Sequence, residues 1–201
     1  MRGIMPKKVQ ITSKKQLLSG FFNVEEVKLR HSLFNGNMSE EITRLCLNRG
    51  DSVVGVLHFK DKNNVLLIEQ FRYPTYEKGP GWMLELPAGV VGKGETPQVA
   101  LAREIEEEVG YRIFPAALTH ISTFYASPGG SSERISVFYA PLTERDRVSV
   151  GGGLAAEGED IRQLFLSVPE AFAKIGKGEI IDAKTIIGLQ WLERHLRQPS
   201  P

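Results

Sequence analysis

Three glutamates, Glu104, Glu107 and Glu108, sit three and four residues apart in a stretch without helix breakers. On a helix, positions i, i+3 and i+4 share a face, so the spacing gathers three carboxylates on one side. Like charges so placed repel one another, and oxygen-only donors suit a hard divalent cation that would offset the repulsion. A solvated acidic helix face is the alternative, since glutamate is a good helix former.

The flanking residues set the limits of that helix. Gly89, Gly92 and Gly94 make a loop before it, Thr96 is placed to cap its N-terminus, Pro97 suits the first helical position, and Gly110 ends it. The helix is expected over about 97 to 109. Leu101, Ala102, Ile105 and Val109 form an apolar stripe on the face opposite the glutamates, which would dock on a sheet and leave the carboxylates in a cleft. Arg103 and Glu107 stand at i and i+4, the spacing of an ion pair that orients a carboxylate rather than of a direct substrate contact.

The rest of the chain supplies strands. Residues 7 to 50 alternate, most clearly over 21 to 29 and 41 to 47, with a turn at Asn35-Gly36-Asn37. Two or three antiparallel strands bury no core alone, so they must pack on the rest of the chain or on a second copy. Ser52 to Phe59 and Val65 to Phe71 read as a hairpin of strands buried on both faces, and residues 76 to 82 as a loop around Gly79-Pro80-Gly81. Strands follow near 117–125, 133–140 and 161–166, separated by a glycine-rich connector over 143–160. Helices are expected near 168–176 and 182–197, and the tail Gln198 to Pro201 should fray. By the layer rule the whole is an α/β protein, an α/β/α sandwich with a mixed sheet, plus a small N-terminal antiparallel β element. The boundary is placed at residue 50, giving 1–50 as the β element and 51–198 as the main domain.

Composition narrows the classes of partner. Charges nearly cancel at net +1, which argues against a nucleic-acid surface. Cys46 is the only cysteine, so no intrachain disulfide or thiolate zinc site is expected, and it reads as a small buried hydrophobe. Neither a signal-like start nor 18 uninterrupted apolar residues are seen, so no membrane association is expected and the cytoplasm is the default compartment. The four histidines show no ligand spacing.

Residues 89 to 111, GVVGKGETPQVALAREIEEEVGY, resemble the Nudix box: Gly89, Glu95, Arg103-Glu104, an aliphatic at Ile105, Glu107-Glu108 and Gly110 occupy the fixed positions. Only the last departs, where Tyr111 replaces an aliphatic, a change that touches packing rather than metal ligands. Further stretches are similar to the ADP-ribose diphosphatase branch of that family: 65–72 (VLLIEQFR), 85–89 (ELPAG), 126–134 (ASPGGSSER) and 157–161 (EGEDI). The resemblance implies the same sandwich fold and hydrolysis of ADP-ribose to AMP and ribose 5-phosphate with Mg²⁺, or with Mn²⁺ in its place. It implies that the carbonyl of Ala88 and the carboxylates of Glu104 and Glu108 bind metal, with Glu107 close by. Glu157 is taken as the base and Glu159 as a further metal ligand, although the order of these two can be reversed. Gly151-Gly152-Gly153 beside them reads as the hinge of a mobile loop.

Arg72, at a strand end before Tyr73-Pro74, is expected to bind phosphate or the nucleobase, with Arg49 and Arg44 as weaker candidates. Glu133 matches a residue that handles substrate or water. Trp82 and Phe124 are large enough to stack on a base, yet core positions are the commoner fate of such rings. The segments Gly151 to Asp160 and Gly178 to Thr185 also resemble a GDP-mannose-cleaving branch, so another nucleoside diphosphate sugar is the alternative substrate. A non-catalytic nucleotide-sugar binding module is the alternative of a different class. The resemblance also implies a homodimer formed through the N-terminal strands.

Overall fold

The structure, a computed structural model, describes residues 7–197, with the side chain of Glu157 outside that description. Expectations placed on residues 1–6 and on the tail from Gln198 lie outside the described residues. The chain divides into two compact units, one of residues 1–50 and 125–133, the other of residues 51–124 and 134–201.

In the first unit, β1 (Val9–Leu18), β2 (Asn23–His31) and β3 (Ile42–Asn48) form an antiparallel sheet with β2 in the centre. The ladder slips between Ile11 and Ser13 and between Gln16 and Leu18, two irregularities that bend β1 along its length. Leu47 pairs with Ser131, so residues 125–133 belong to this unit although they are distant in sequence. Cys46 is half-buried rather than enclosed, because a three-stranded sheet has no second layer of its own to cover it.

The second unit is built on a mixed sheet. Its main path runs β10 (Arg162–Ser167), β5 (Asn64–Phe71), β4 (Ser52–Phe59), β9 (Arg134–Leu142) and β8 (Thr119–Tyr125). The short strands β6 (Trp82–Glu85) and β7 (Ala88–Val90) pair with β5 and β4 respectively. β4 and β5 form the expected antiparallel hairpin, while β4 and β9 run parallel. A helical turn, α1 (Tyr73–Tyr76), runs into the expected loop, which overlaps it only at Tyr76 and gives way to β6 at Trp82. Glycine and proline at 79–81 mark the turn correctly but hide how soon pairing resumes.

Alternation along the central strands explains the layers. Val53, Leu57 and Phe59 of β4 and Leu66 and Ile68 of β5 pack with Ala100, Leu101, Ile105 and Val109 of α2 (Pro97–Val109). Val54, Val56, Val65 and Leu67 face the other way, onto α3 (Val168–Gly176) and α4 (Ala183–Arg197), where Val168, Ala171, Leu189 and Leu192 meet them. Both faces are covered, which is why these strands read as continuous apolar runs rather than alternating ones. The result is the expected α/β/α sandwich. Tyr111 is fully buried, edge-on to Phe59 at 5.4 Å, with its hydroxyl 3.3 Å from Glu144; at the position where an aliphatic was expected it fills the core.

Candidate active site

The acidic face is organised by α2 and β7. Thr96 accepts from the Val99 N–H at 3.4 Å, Pro97 occupies the first turn, and Gly110 closes the helix in the left-handed region at φ 76°. With Leu101, Ile105 and Val109 driven into the core, the same periodicity turns Glu104 and Glu108 toward β7. Gly89 of β7 permits their approach: a Cβ there would stand 1.9 Å from the Glu104 carboxyl carbon. The Ala88 N–H donates to Glu108 Oε2 at 3.0 Å, so the backbone of β7 fixes the carboxylate from one side.

Electrostatically this is a crowded site. Glu108 is only 2 % exposed, and burial pushes its carboxyl well above the usual carboxylate range; the Ala88 N–H opposes that, while Glu104 and Glu159 add to it. Burial likewise raises Glu104, with Arg103 opposing and Glu107 and Glu159 reinforcing. Negative charge is thus taken out of water with too little nearby to balance it.

Arg103 supplies what balance there is. Its Nη1 donates to Glu104 Oε1 and to Glu107 Oε2, both at 2.9 Å, and its Nε to Glu95 Oε1 at 3.2 Å. Glu95 in turn accepts from the Gly92 N–H at 2.8 Å, and the Arg103 guanidinium holds its carboxyl below the usual range. Arg103 is therefore the carboxylate-orienting ion pair expected from its spacing, extended to three partners.

Within the glycine-rich connector, Gly151 to Gly153 are tied to the end of α2. The N–H groups of Gly152 and Gly153 donate to the carbonyls of Glu108 and Glu107 at 2.8 and 3.1 Å, satisfying acceptors at the open end of α2. A Cβ on Gly151, at φ 64°, would stand 2.6 Å from the Val109 carbonyl carbon, so backbone packs directly on backbone here. Beyond the anchor, Glu159 Oε2 accepts from the Leu154 N–H at 3.0 Å and lies close enough to raise both Glu104 and Glu108. Glu157 ends the 3-10 turn Ala155–Glu157.

The expected substrate residues divide between the units. Arg72 belongs to the second, where its Nε donates to Glu85 Oε2 at 2.8 Å. Arg49 and Glu133 belong to the first and lie 3.6 Å apart as an ion pair, and Arg44 is exposed with Nη1 on the Thr43 carbonyl at 2.9 Å. Trp82, expected in the core, is 57 % exposed and packs on Phe71 across the β5–β6 pair at 5.1 Å; a strand at the margin of the sheet has no layer to cover that ring. Phe124 is partly buried against the α3 and α4 side. Sequence reading did not single out the buried pair of Glu85 and Lys184, because a lone acid on a short strand and a lone lysine near a helix start carry no spacing signal.

Among the described residues, no three acidic, histidine or cysteine side chains are gathered closely enough to hold a metal by themselves. The donor chemistry nonetheless fits a hard divalent cation: the set is oxygen-only, and burial penalises the charged forms of Glu104 and Glu108 by more than Arg103 and the Ala88 N–H offset.

The fold and this helix define a class. The chain belongs to the NUDIX family, whose domain matches residues 49–187. It is similar to the ADP-ribose pyrophosphatase of Escherichia coli (strain K12), 37 % identical over 190 residues that cover 93 % of this chain and 88 % of that one. The ADP-ribose pyrophosphatase of Haemophilus influenzae is 34 % identical, covering 94 % and 88 %. The GDP-mannose pyrophosphatase of Citrobacter koseri is 32 % identical, covering 94 % and 96 %. A crystal structure of an ADP compounds hydrolase shares the fold with a TM-score of 0.72 at 20 % identity, covering 94 % of this chain and 95 % of that one.

Proposed function

We propose that the protein is a hydrolase of the diphosphate linkage of ADP-ribose, releasing AMP and ribose 5-phosphate. The observation that carries the reading is the mutually repelling pair Glu104 and Glu108 packed against β7, in a chain similar over most of its length to ADP-ribose pyrophosphatases. The Ala88 carbonyl, Glu104 and Glu108 would hold Mg²⁺, or Mn²⁺ in its place, with Glu107 and Glu159 at the margin. When bound, the cation neutralises diphosphate charge and lowers the pKa of water. Arg103 keeps the carboxylates aimed; Glu157 accepts a proton from the attacking water, with Glu159 as the exchangeable candidate for that role. Arg72 faces a phosphate oxygen, and Glu133, Arg49 and Arg44 contribute to substrate recognition.

The similarity to a GDP-mannose pyrophosphatase supports a second substrate, another nucleoside diphosphate sugar. Product analysis after incubation with Mg²⁺ and, separately, ADP-ribose, GDP-mannose and UDP-glucose decides between them. Preferential release of AMP from ADP-ribose is expected. Preferential cleavage of another sugar nucleotide would move the specificity and keep the reaction, and binding without cleavage would return the protein to a sensing role.

The functional particle is taken as a cytoplasmic homodimer, with no nucleic-acid or membrane partner, joined through the element of residues 1–50 that precedes the hydrolase domain of 51–198. β1 is exposed at every position, including Ile11 at 60 %, and Phe21 beyond it is 78 % exposed, apolar surface that a second copy would cover. No helix among the described residues is long and apolar enough to cross a membrane. Sedimentation showing a monomer at micromolar concentration would overturn the dimer.

A further inference from the structure

Glu85 is the most deeply buried acid outside the metal-facing cluster, at 4 % exposure, and it carries two cations. Its Oε2 accepts from Arg72 Nε at 2.8 Å, and its Oε1 pairs with Lys184 Nζ in a close contact. Lys184 also meets Asp182 Oδ1 at 3.0 Å. The second Asp182 oxygen accepts from the Thr185 N–H at 2.9 Å and from its hydroxyl at 2.6 Å, at the start of α4. Thr185 Oγ1 then accepts from the Leu86 N–H at 2.8 Å. The start of α4 and the end of β6 are therefore locked together around Glu85.

That arrangement does two things for Arg72. With the hydrogen bond to Glu85 made through Nε, the far edge of this half-exposed guanidinium, one N–H from each Nη, can donate to two oxygens of a phosphate. Lys184 engages the other oxygen, so the Glu85 carboxylate is held from both sides and cannot turn away from Arg72. Asp182 holds Lys184 through one oxygen and the start of α4 through the other, so the ammonium is itself fixed in place. Arg72 is near enough to oppose the upward shift of Glu108, which puts its charge beside the carboxylate cluster.

We infer that Glu85 and Lys184 are positioning residues for the hydrolysis: Glu85 fixes the Arg72 guanidinium for a phosphate oxygen of the substrate diphosphate, and Lys184 holds the Glu85 carboxylate in that orientation. The inference rests on the reading of Arg72 as a phosphate-binding residue. Its test is a pair of double-mutant cycles on the full-length protein with ADP-ribose and Mg²⁺, pairing Arg72→Gln with Glu85→Gln and with Lys184→Met. Each of the latter alone should raise KM about ten-fold, the worth of one charge-assisted hydrogen bond, with a much smaller change in kcat. In the Arg72→Gln background neither should raise KM further. Full multiplication of the effects, or an unmoved KM in Glu85→Gln and Lys184→Met while Arg72→Gln raises it, would overturn the inference, since a merely structural role lowers Tm without that coupling.

The Nε–Hε resonance of Arg72 gives a readout independent of turnover. It should be protected from exchange in the wild type and lose protection in Glu85→Gln. If Arg72→Gln leaves KM unchanged, the phosphate reading fails and the inference with it, whereas a resonance equally protected in both proteins would overturn the clamp alone.

Discussion

At the scale of single residues, the site trades stability for function. Glu108 is a carboxylate placed where its charge is poorly solvated, with Glu104 and Glu159 adding repulsion. Glu108→Gln keeps an oxygen for the Ala88 N–H and removes the charge, so the metal-free variant should show a higher Tm at neutral pH by calorimetry. The same change should cost turnover on the order of 10²-fold or more, through lost cation affinity. Glu157→Gln should lose turnover with Mg²⁺ affinity kept, and equal loss of affinity in both variants would overturn the assignment of the base. Gly89→Ala separates packing from chemistry differently. The new methyl meets the far end of the Glu104 side chain, which can swing aside, so Tm should change little while Mg²⁺ titration shows weakened binding.

At the scale of elements, the decisive join is between the carboxyl end of α2 and the glycine-rich connector. Gly152 and Gly153 donate to carbonyls of the two residues, Glu108 and Glu107, whose side chains form the acidic face. The helix thereby positions its own carboxylates and, through its backbone, the loop that bears Glu157 and Glu159. Gly151→Ala introduces a Cβ against the Val109 and Glu108 backbone at a left-handed φ, at a cost of about 1–3 kcal/mol. Its Tm should fall, and kcat should fall more than the unfolded fraction explains. A Tm loss with unchanged kcat in the folded enzyme would show that the anchor serves only stability.

At the scale of the whole molecule, acid should unfold the protein in stages. His58 is 2 % exposed, its Nδ1 lies 3.2 Å from the Tyr139 hydroxyl, and burial holds its pKa below 6.5, with Lys60 and His195 reinforcing and Asn63 opposing. Because the folded pKa is the lower one, the unfolded chain takes up the proton first, and stability falls as pH drops below about 6.5. Carboxylates held low by arginine or lysine, such as Asp51 beside Arg134 and Glu144 beside Lys62, contribute stability that is lost only at pH values below about 4. Tm measured from pH 7.5 to 5.5 should therefore decline more steeply in the wild type than in His58→Asn. Equal slopes would remove His58 from the account.

Much of this was open to reading from the chain alone, for a definable reason. Elements whose signal is local were legible: α2 ends where Thr96, Pro97 and Gly110 place it, and β4 and β5 follow their apolar runs, because caps, glycines and periodicity act within a few residues. The glutamate face was legible too, since 3.6-residue geometry puts Glu104 and Glu108 together before any partner is known. Long-range pairing carries no such mark. The strand pairing of β6 and β7, the exposure of Trp82, the anchoring of Gly151 to Gly153 and the joining of Glu85 to Lys184 across 99 residues arise only when the sheet closes and brings distant segments into contact. Local composition set which groups were available for chemistry; the tertiary fold decided which of them lost their water, and with it which charges were left needing a partner.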